Sequence, residues 1–182
     1  MLPAPGEVLH FSEDPTITQF VPHVAATAQR PEPYVWAVGP DRCPDYWFPR
    51  DCPRAMAWTV PTTTDTDRDR IIGAGSGTRV HAIEYAWLNR LRTTHLYAYR
   101  LPAEPFSMID APQPHALVAT VAVNPLGPAE PVGDLLGLHE AAGIQLRLLP
   151  NLWPFWDAVI ASTLGFSGIR LLNALPRPGT GA

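Results

Sequence analysis

At 182 residues, 46% of them hydrophobic and 16% charged, the chain has the balance of a folded domain and not of a disordered one. Its net charge is −4 with no block of like charges, which argues against general nucleic-acid binding and against an anionic membrane surface, since both need a basic face. All 13 basic residues are Arg, a bias of the kind GC-rich coding produces, and 22 prolines imply many short elements joined by stiff turns.

In chain order, Glu7–Ser12 alternates apolar and polar residues and runs into Ser12-Glu13-Asp14-Pro15, which predicts a strand ending in a hydroxyl and carboxylate turn. A Pro-rich loop over 22–33 leads to Tyr34–Val38, β-branched and aromatic, a second strand stopped by Gly39-Pro40. Asp41 is placed to cap a short helix reaching Tyr46 or Trp47, which Pro49 must end. Arg54–Val60 predicts a third strand, and Thr64 or Asp65 caps a short helix reaching Ile71-Ile72. The glycines of 73–77 precede a strand instead of joining a strand to a helix, so they predict a flexible connector and not a phosphate loop.

Thr78–Glu84 is expected as a fourth strand, Tyr85–Arg92 as a helix with Trp87, Leu88 and Leu91 on one face, and Thr94–Leu101 as a fifth strand with His95, Tyr97 and Tyr99 on one side. His115–Val123 is apolar at nearly every position and is expected to be central. Asp134 caps a helix that Gly143 ends, Ile144–Leu149 is a seventh strand, and Pro154 opens a last helix closed by Gly165, with Trp153, Trp156 and Ile160 as its buried stripe. Strands and helices do not alternate regularly. The expected fold is therefore α+β, with a mixed or largely antiparallel central sheet of about seven strands and short flanking helices. One domain over residues 1–175 and a flexible Pro-Gly tail over 176–182 follow from the length and composition.

Pro3, Pro5, Glu7, Glu13 and Asp14 do not make a signal peptide or an amphipathic transit helix, and no apolar run approaches the roughly 20 residues a membrane helix needs. Two cysteines, Cys43 and Cys52, make no disulfide framework. A cytoplasmic protein with no membrane partner is the expectation.

The densest stretch is Tyr46-Trp47-Phe48-Pro49-Arg50-Asp51-Cys52-Pro53-Arg54, in which three aromatics meet a proline-bracketed turn. Read chemically, Arg50 offers an anion a planar guanidinium, the aromatics offer a stacking surface, and Asp51 can orient Arg54 or a substrate hydroxyl. Read structurally, Arg50-Asp51 or Asp51-Arg54 is a buried ion pair pinning a turn, and the aromatics fill the core. Cys52 between two arginines suggests a thiolate nucleophile, though no local spacing supplies a His base. His10 and Ser12 share a strand face and can present an imidazole and a hydroxyl to one ligand, with Glu13 at the turn; the alternative is a His10 bonded to a carbonyl and a Ser12 that caps the turn. Six histidines occur with no His-x-His or CxxC spacing, and His81 and Glu84 fall on opposite strand faces, so no metal site is expected.

His10-Phe11-Ser12-Glu13-Asp14-Pro15, Val35-Trp36-Ala37, Tyr46–Arg54, Arg79–Glu84, Leu96–Arg100 and Pro150-Asn151-Leu152-Trp153-Pro154 together resemble a family of small bacterial proteins of unknown function, over nearly the whole chain. The first half is also similar to the opening of ADP-ribosyltransferase-like folds, in a strand with a His followed by an aromatic and a hydroxyl, then a strand like Val35–Val38 leading to Tyr46. That resemblance implies nucleotide-binding roles for His10, Ser12 and Tyr46 with NAD as the cofactor. Such transferases also carry a late-strand glutamate that stabilises the developing ribosyl cation, and here Val118–Val123 has no acid, so Glu84 or Glu130 would have to supply it.

Two expectations result. One is a nucleotide or NAD-like ligand in a cleft floored by His10, Ser12 and Trp36 and walled by Tyr46, Arg50 and Asp51, with His10, Arg50 and Asp51 as catalytic groups, Ser12, Glu13, Trp36, Tyr46 and Arg54 as ligand contacts, and glycosyl or ADP-ribosyl transfer as the reaction. The other is a non-enzymatic binding or interaction protein in which the Arg-Asp-Cys turn is architectural.

Overall fold

A computed structural model describes residues 1–24, 31–73, 77–109 and 116–179. Among them, ten strands and four α-helices alternate irregularly, and the expected seven-stranded sheet is replaced by three separate sheets of three, four and three strands. The chain divides into two compact units, each built from two stretches: Met1–Arg50 with Thr94–Gly133, and Asp51–Thr93 with the residues from Asp134 onward.

The first unit holds two sheets. Strand β1 (Glu7–Ser12) pairs antiparallel with β5 (Tyr97–Pro102), which pairs in turn with the two-residue β8 (Glu130–Pro131). Strand β2 (Val35–Ala37) pairs with β7 (Ala116–Ala119), and β7 with β6 (Ser107–Ile109). The apolar β7 is central, as its composition predicts, but in a three-stranded sheet; His115, expected to begin it, lies outside the described residues. Val8, Phe20, Val35, Ala37, Tyr99, Leu101, Ala119 and Val123 close the core of this unit. Tyr99 is fully buried, and its hydroxyl donates to the Asp14 carbonyl (2.7 Å) and accepts from the Ile17 amide (3.0 Å), so a core aromatic also fixes the turn after β1. Pro40–Tyr46 forms a 3-10 helix whose cap is Gly39, with no side-chain cap; Asp41 lies inside it, and Pro40 fits at its start because no N–H is needed there. His95 is exposed and precedes β5, so it does not join Tyr97 and Tyr99 on the strand.

The second unit holds one four-stranded sheet, in the order β10 (Gly165–Ile169), β3 (Arg54–Trp58), β4 (Arg79–Glu84), β9 (Gln145–Leu149), with β4 and β9 parallel. Helices α1 (Asp65–Ile71), α2 (Leu88–Thr93), α3 (Leu135–Ala141) and α4 (Trp153–Ile160) complete it. The predicted caps are both present: Thr64 Oγ1 accepts from the Asp67 amide at 3.2 Å, and Asp134 Oδ1 from the Leu136 amide at 3.0 Å. Gly165 does not close α4 but opens β10, where a Cβ would lie 2.4 Å from the Trp58 indole nitrogen. Val159, not Ile160, is the buried residue near the end of α4; Ile160 is 45% exposed. Of the glycine-rich connector only Gly73 and Gly77 are described, and Gly77 has a packing role: φ is +77°, and a Cβ would sit 2.5 Å from the Gly143 carbonyl oxygen. Beyond Leu175 the chain has anchors, since the Pro176 carbonyl accepts from Asn151 Nδ2 (2.9 Å) and Arg177 pairs with Asp157 (2.8 Å) while lying over the Trp153 ring. No helix among the described residues is long and apolar enough to cross a membrane.

Candidate functional site

His10 is the best-defined polar group of the first unit. It sits mid-strand in β1, opposite Tyr99, and its ring packs against Phe20 with centroids 4.6 Å apart. Nδ1 lies 2.7 Å from the Trp36 carbonyl oxygen. A carbonyl only accepts, so the proton is on Nδ1 and the lone pair is on Nε2. Loss of hydration around the ring lowers its pKa, and the Arg50 guanidinium adds to this by disfavouring the imidazolium, while the Trp36 carbonyl works the other way. His10 is therefore neutral near pH 7, and Nε2 is an acceptor with no partner among the described residues.

The other expected residues of this unit divide between two faces. Val8, His10 and Ser12 share the face of β1 that carries Tyr99 and Leu101 on β5, whereas Phe11 points the other way and stacks on Tyr46 at 6.5 Å, with the rings 10° from parallel. Tyr46 is thus not a wall above His10. Ser12 is 3% exposed, and its hydroxyl accepts from the Asp14 amide at 3.1 Å, which makes it a turn cap. Trp36 meets His10 only through its backbone carbonyl; its indole packs with Tyr34, Ile109, Ala116 and Val118. Glu13 Oε1 accepts from the Arg50 amide at 2.8 Å, so it positions Arg50. The Arg50 side chain is exposed and has no carboxylate partner among the described residues.

The aromatics beside it are not a stacking platform. Trp47 and Phe48 are 3% and 1% exposed and belong to the core, as the structural reading of this stretch expected. The buried ion pair of that reading is absent, because Arg50 and Asp51 are both exposed and neither forms a salt bridge among the described residues.

Asp51, Cys52 and Arg54 belong to the second unit. The Asp51 carbonyl accepts from Asn173 Nδ2 at 2.8 Å, which holds the turn by its backbone. Arg54 is 3% exposed and donates from Nη1 to the Cys52 carbonyl at 2.9 Å, so it is committed inside the fold instead of lying open to a ligand. Burial pushes the Cys52 thiol up to about 12, against the pull of Arg54, and the same cause takes Cys43 to about 12; neither is a thiolate at neutral pH.

The glutamates that a transfer reaction would need are engaged. Glu84 is 1% exposed and accepts from the Leu152 amide (3.1 Å) and the Leu175 amide (3.1 Å) in the second unit. Glu130 binds the Arg100 Nε at 2.7 Å, and Arg100 also reaches Glu7 at 2.7 Å, which joins β5 to β8 and to the N-terminal strand. No group of three or more His, Cys, Asp or Glu side chains converges on a metal position among the described residues.

One polar constellation did not follow from the spacing. His81 on β4 and His139 on α3 are 0% and 1% exposed, and His81 Nδ1 lies 3.0 Å from His139 Nε2. The signal in the sequence was a histidine inside an apolar strand, Val80-His81-Ala82-Ile83; its partner, 58 residues away, is found only through the packing of α3.

No curated protein and no solved structure matches the chain. A family model does, over residues 9–174, which takes in β1 through the 3-10 turn Leu171–Asn173 and so nearly all of both units. The chain belongs to that family, a family of unknown function designated DUF6886.

Proposed function

We propose that the first unit binds a small phosphorylated ligand of the nucleotide or NAD type through His10 and Arg50. The observation that carries this is His10: its tautomer is set by the Trp36 carbonyl, its ring is neutral, and Nε2 is left as an acceptor for a ligand hydroxyl. Arg50 adds an exposed guanidinium close enough to lower the His10 pKa, with its backbone held by Glu13 and its side chain uncommitted to any carboxylate among the described residues. A hydroxyl-bearing phosphate matches this pair of groups.

Binding is favoured over glycosyl or ADP-ribosyl transfer. Both candidate acids are spent on structural bonds, and Tyr46 is turned to Phe11 on the other face of β1. Titration of the purified protein with NAD and ADP-ribose by calorimetry tests the reading. Wild-type protein is expected to bind, and Arg50→Ala to weaken binding at least tenfold. No heat up to millimolar ligand overturns it.

A second reading, that the stretch after Arg50 serves architecture in a non-enzymatic interaction protein, is favoured by Arg54, Cys52 and Pro53, which are all buried. The two readings concern different residues. Arg50 carries the first, and the turn from Asp51 to Arg54 the second.

A further inference from the structure

We propose that the His81–His139 pair is an acid-released fastener of the second unit, which pins α3 to β4 while both rings are neutral and lets go when His139 takes a proton. The hydrogen-bond directions follow from the donors. Arg79 Nε–H can only donate, and it donates to His81 Nε2 at 2.9 Å, so the His81 proton is on Nδ1. That N–H points at His139 Nε2, 3.0 Å away, which must accept. His139 then carries its own proton on Nδ1 and donates it to the Leu135 carbonyl at 2.7 Å. One arrangement satisfies all four ring nitrogens, and it holds two neutral imidazoles in a single sense.

The chain ends on a backbone carbonyl in the first turn of α3, which has no proton to pass on. It is therefore not a relay to a reacting group. A proton added to His139 Nε2 would face the His81 N–H, and one added to His81 Nε2 would face the Arg79 N–H; either breaks the chain and places a charge in a buried site.

Among the described residues, most of the charged groups on the surrounding elements are themselves cationic. The charged groups are Arg79 and Glu84 on β4, Arg54 on β3, Arg90 and Arg92 on α2, Arg147 on β9 and Glu140 on α3 itself. Of these, Glu84 is bonded to the Leu152 and Leu175 amides, and Glu140 is exposed. Burial lowers the His139 pKa, and Arg79 and Arg54 lower it further. Because the folded value lies below the unfolded one, the stabilisation is complete above the ordinary imidazole value near 6.5 and is lost progressively as pH falls below it. One such histidine raises the unfolding constant about tenfold per pH unit across that window.

Two measurements test the proposal. In the native protein at pH 7.5, long-range nitrogen NMR should find both rings as the Nδ1–H tautomer; an Nε2–H tautomer or an imidazolium on either ring overturns it. Amide protection factors, corrected for the intrinsic exchange rate, should fall for α3 by up to about tenfold between pH 7.5 and 5.5, and fall less for α4, which carries no histidine. In His139→Gln, whose side-chain oxygen can still accept from His81 but does not titrate, the α3 response should flatten. Equal loss in both regions, or an unchanged slope in a folded His139→Gln, refutes the fastener; if that variant does not fold, the tautomer and wild-type exchange arms still decide.

Discussion

His10 in the first unit and the His81–His139 pair in the second are two uses of one side chain. Each histidine has a ring nitrogen bonded to a backbone carbonyl or to a partner side chain, and burial holds His10 and His139 neutral. They differ in the second nitrogen. In the pair it is consumed, by Arg79 for His81 and by His81 for His139; in His10 it is left over, among the described residues, beside a guanidinium with no carboxylate partner there. A histidine whose whole capacity is spent inside the protein holds structure together, and one with an acceptor in reserve is equipped to meet something else.

That contrast can be broken by substitution, in descending order of effect. Glu84→Leu should be the most damaging, because it leaves the Leu152 and Leu175 amides without their acceptor; a loss of roughly 3 kcal/mol in urea unfolding is expected. Tyr99→Phe removes a hydroxyl that both donates and accepts beneath the turn after β1, and should cost about 1–2 kcal/mol in the same measurement. Thr64→Ala deletes the cap of α1 and should cost about 1 kcal/mol, read as a fall in melting temperature. Arg50→Ala should change stability by no more than about 0.5 kcal/mol, since the side chain is exposed and forms no salt bridge among the described residues, while weakening ligand binding at least tenfold in calorimetry. A large loss of stability in Arg50→Ala would place His10 and Arg50 with the structural groups and erase the distinction.

Local elements were legible from local chemistry. Glu7–Ser12 is β1 to the residue, Thr64 and Asp134 cap the helices that their positions announce, and Pro154 lies in the first turn of α4. The sheet arrangement was not. β8 is a two-residue strand containing Pro131, β6 is three residues with two of them exposed, and β10 holds two glycines, so none has the alternation or β-branched content that marks a strand. These strands exist because of their partners, and partner choice is nonlocal.

The candidate site was legible in the same partial way. His10 and Arg50 were singled out by type and neighbourhood, and one carbonyl bond gives His10 its meaning. Tyr46 and Trp36 were drawn towards His10 because nothing in a linear sequence tells which side of β1 each would occupy. Arg54 and Glu84 were ambiguous for another reason: a charged residue in an apolar strand reads equally as a ligand group or as an internal strut, and only its burial separates the two.

The chain enters the second unit at Asp51, leaves it after Thr93 and returns at Asp134. During synthesis this interval imposes an order. The β3–β4 hairpin emerges while β9, the parallel partner of β4, and β10, the outer partner of β3, are still unmade, so both edges of the hairpin stay bare until the last fifty or so residues arrive. The first unit waits as well, because β1 and β2 meet their partners β5 and β7 only after Thr93, but it is complete once Gly133 has been made. A ribosome stalled once Gly133 has left its exit tunnel would therefore hold one finished body and one open-edged pair of strands, and that pair is the segment a chaperone would have to shield.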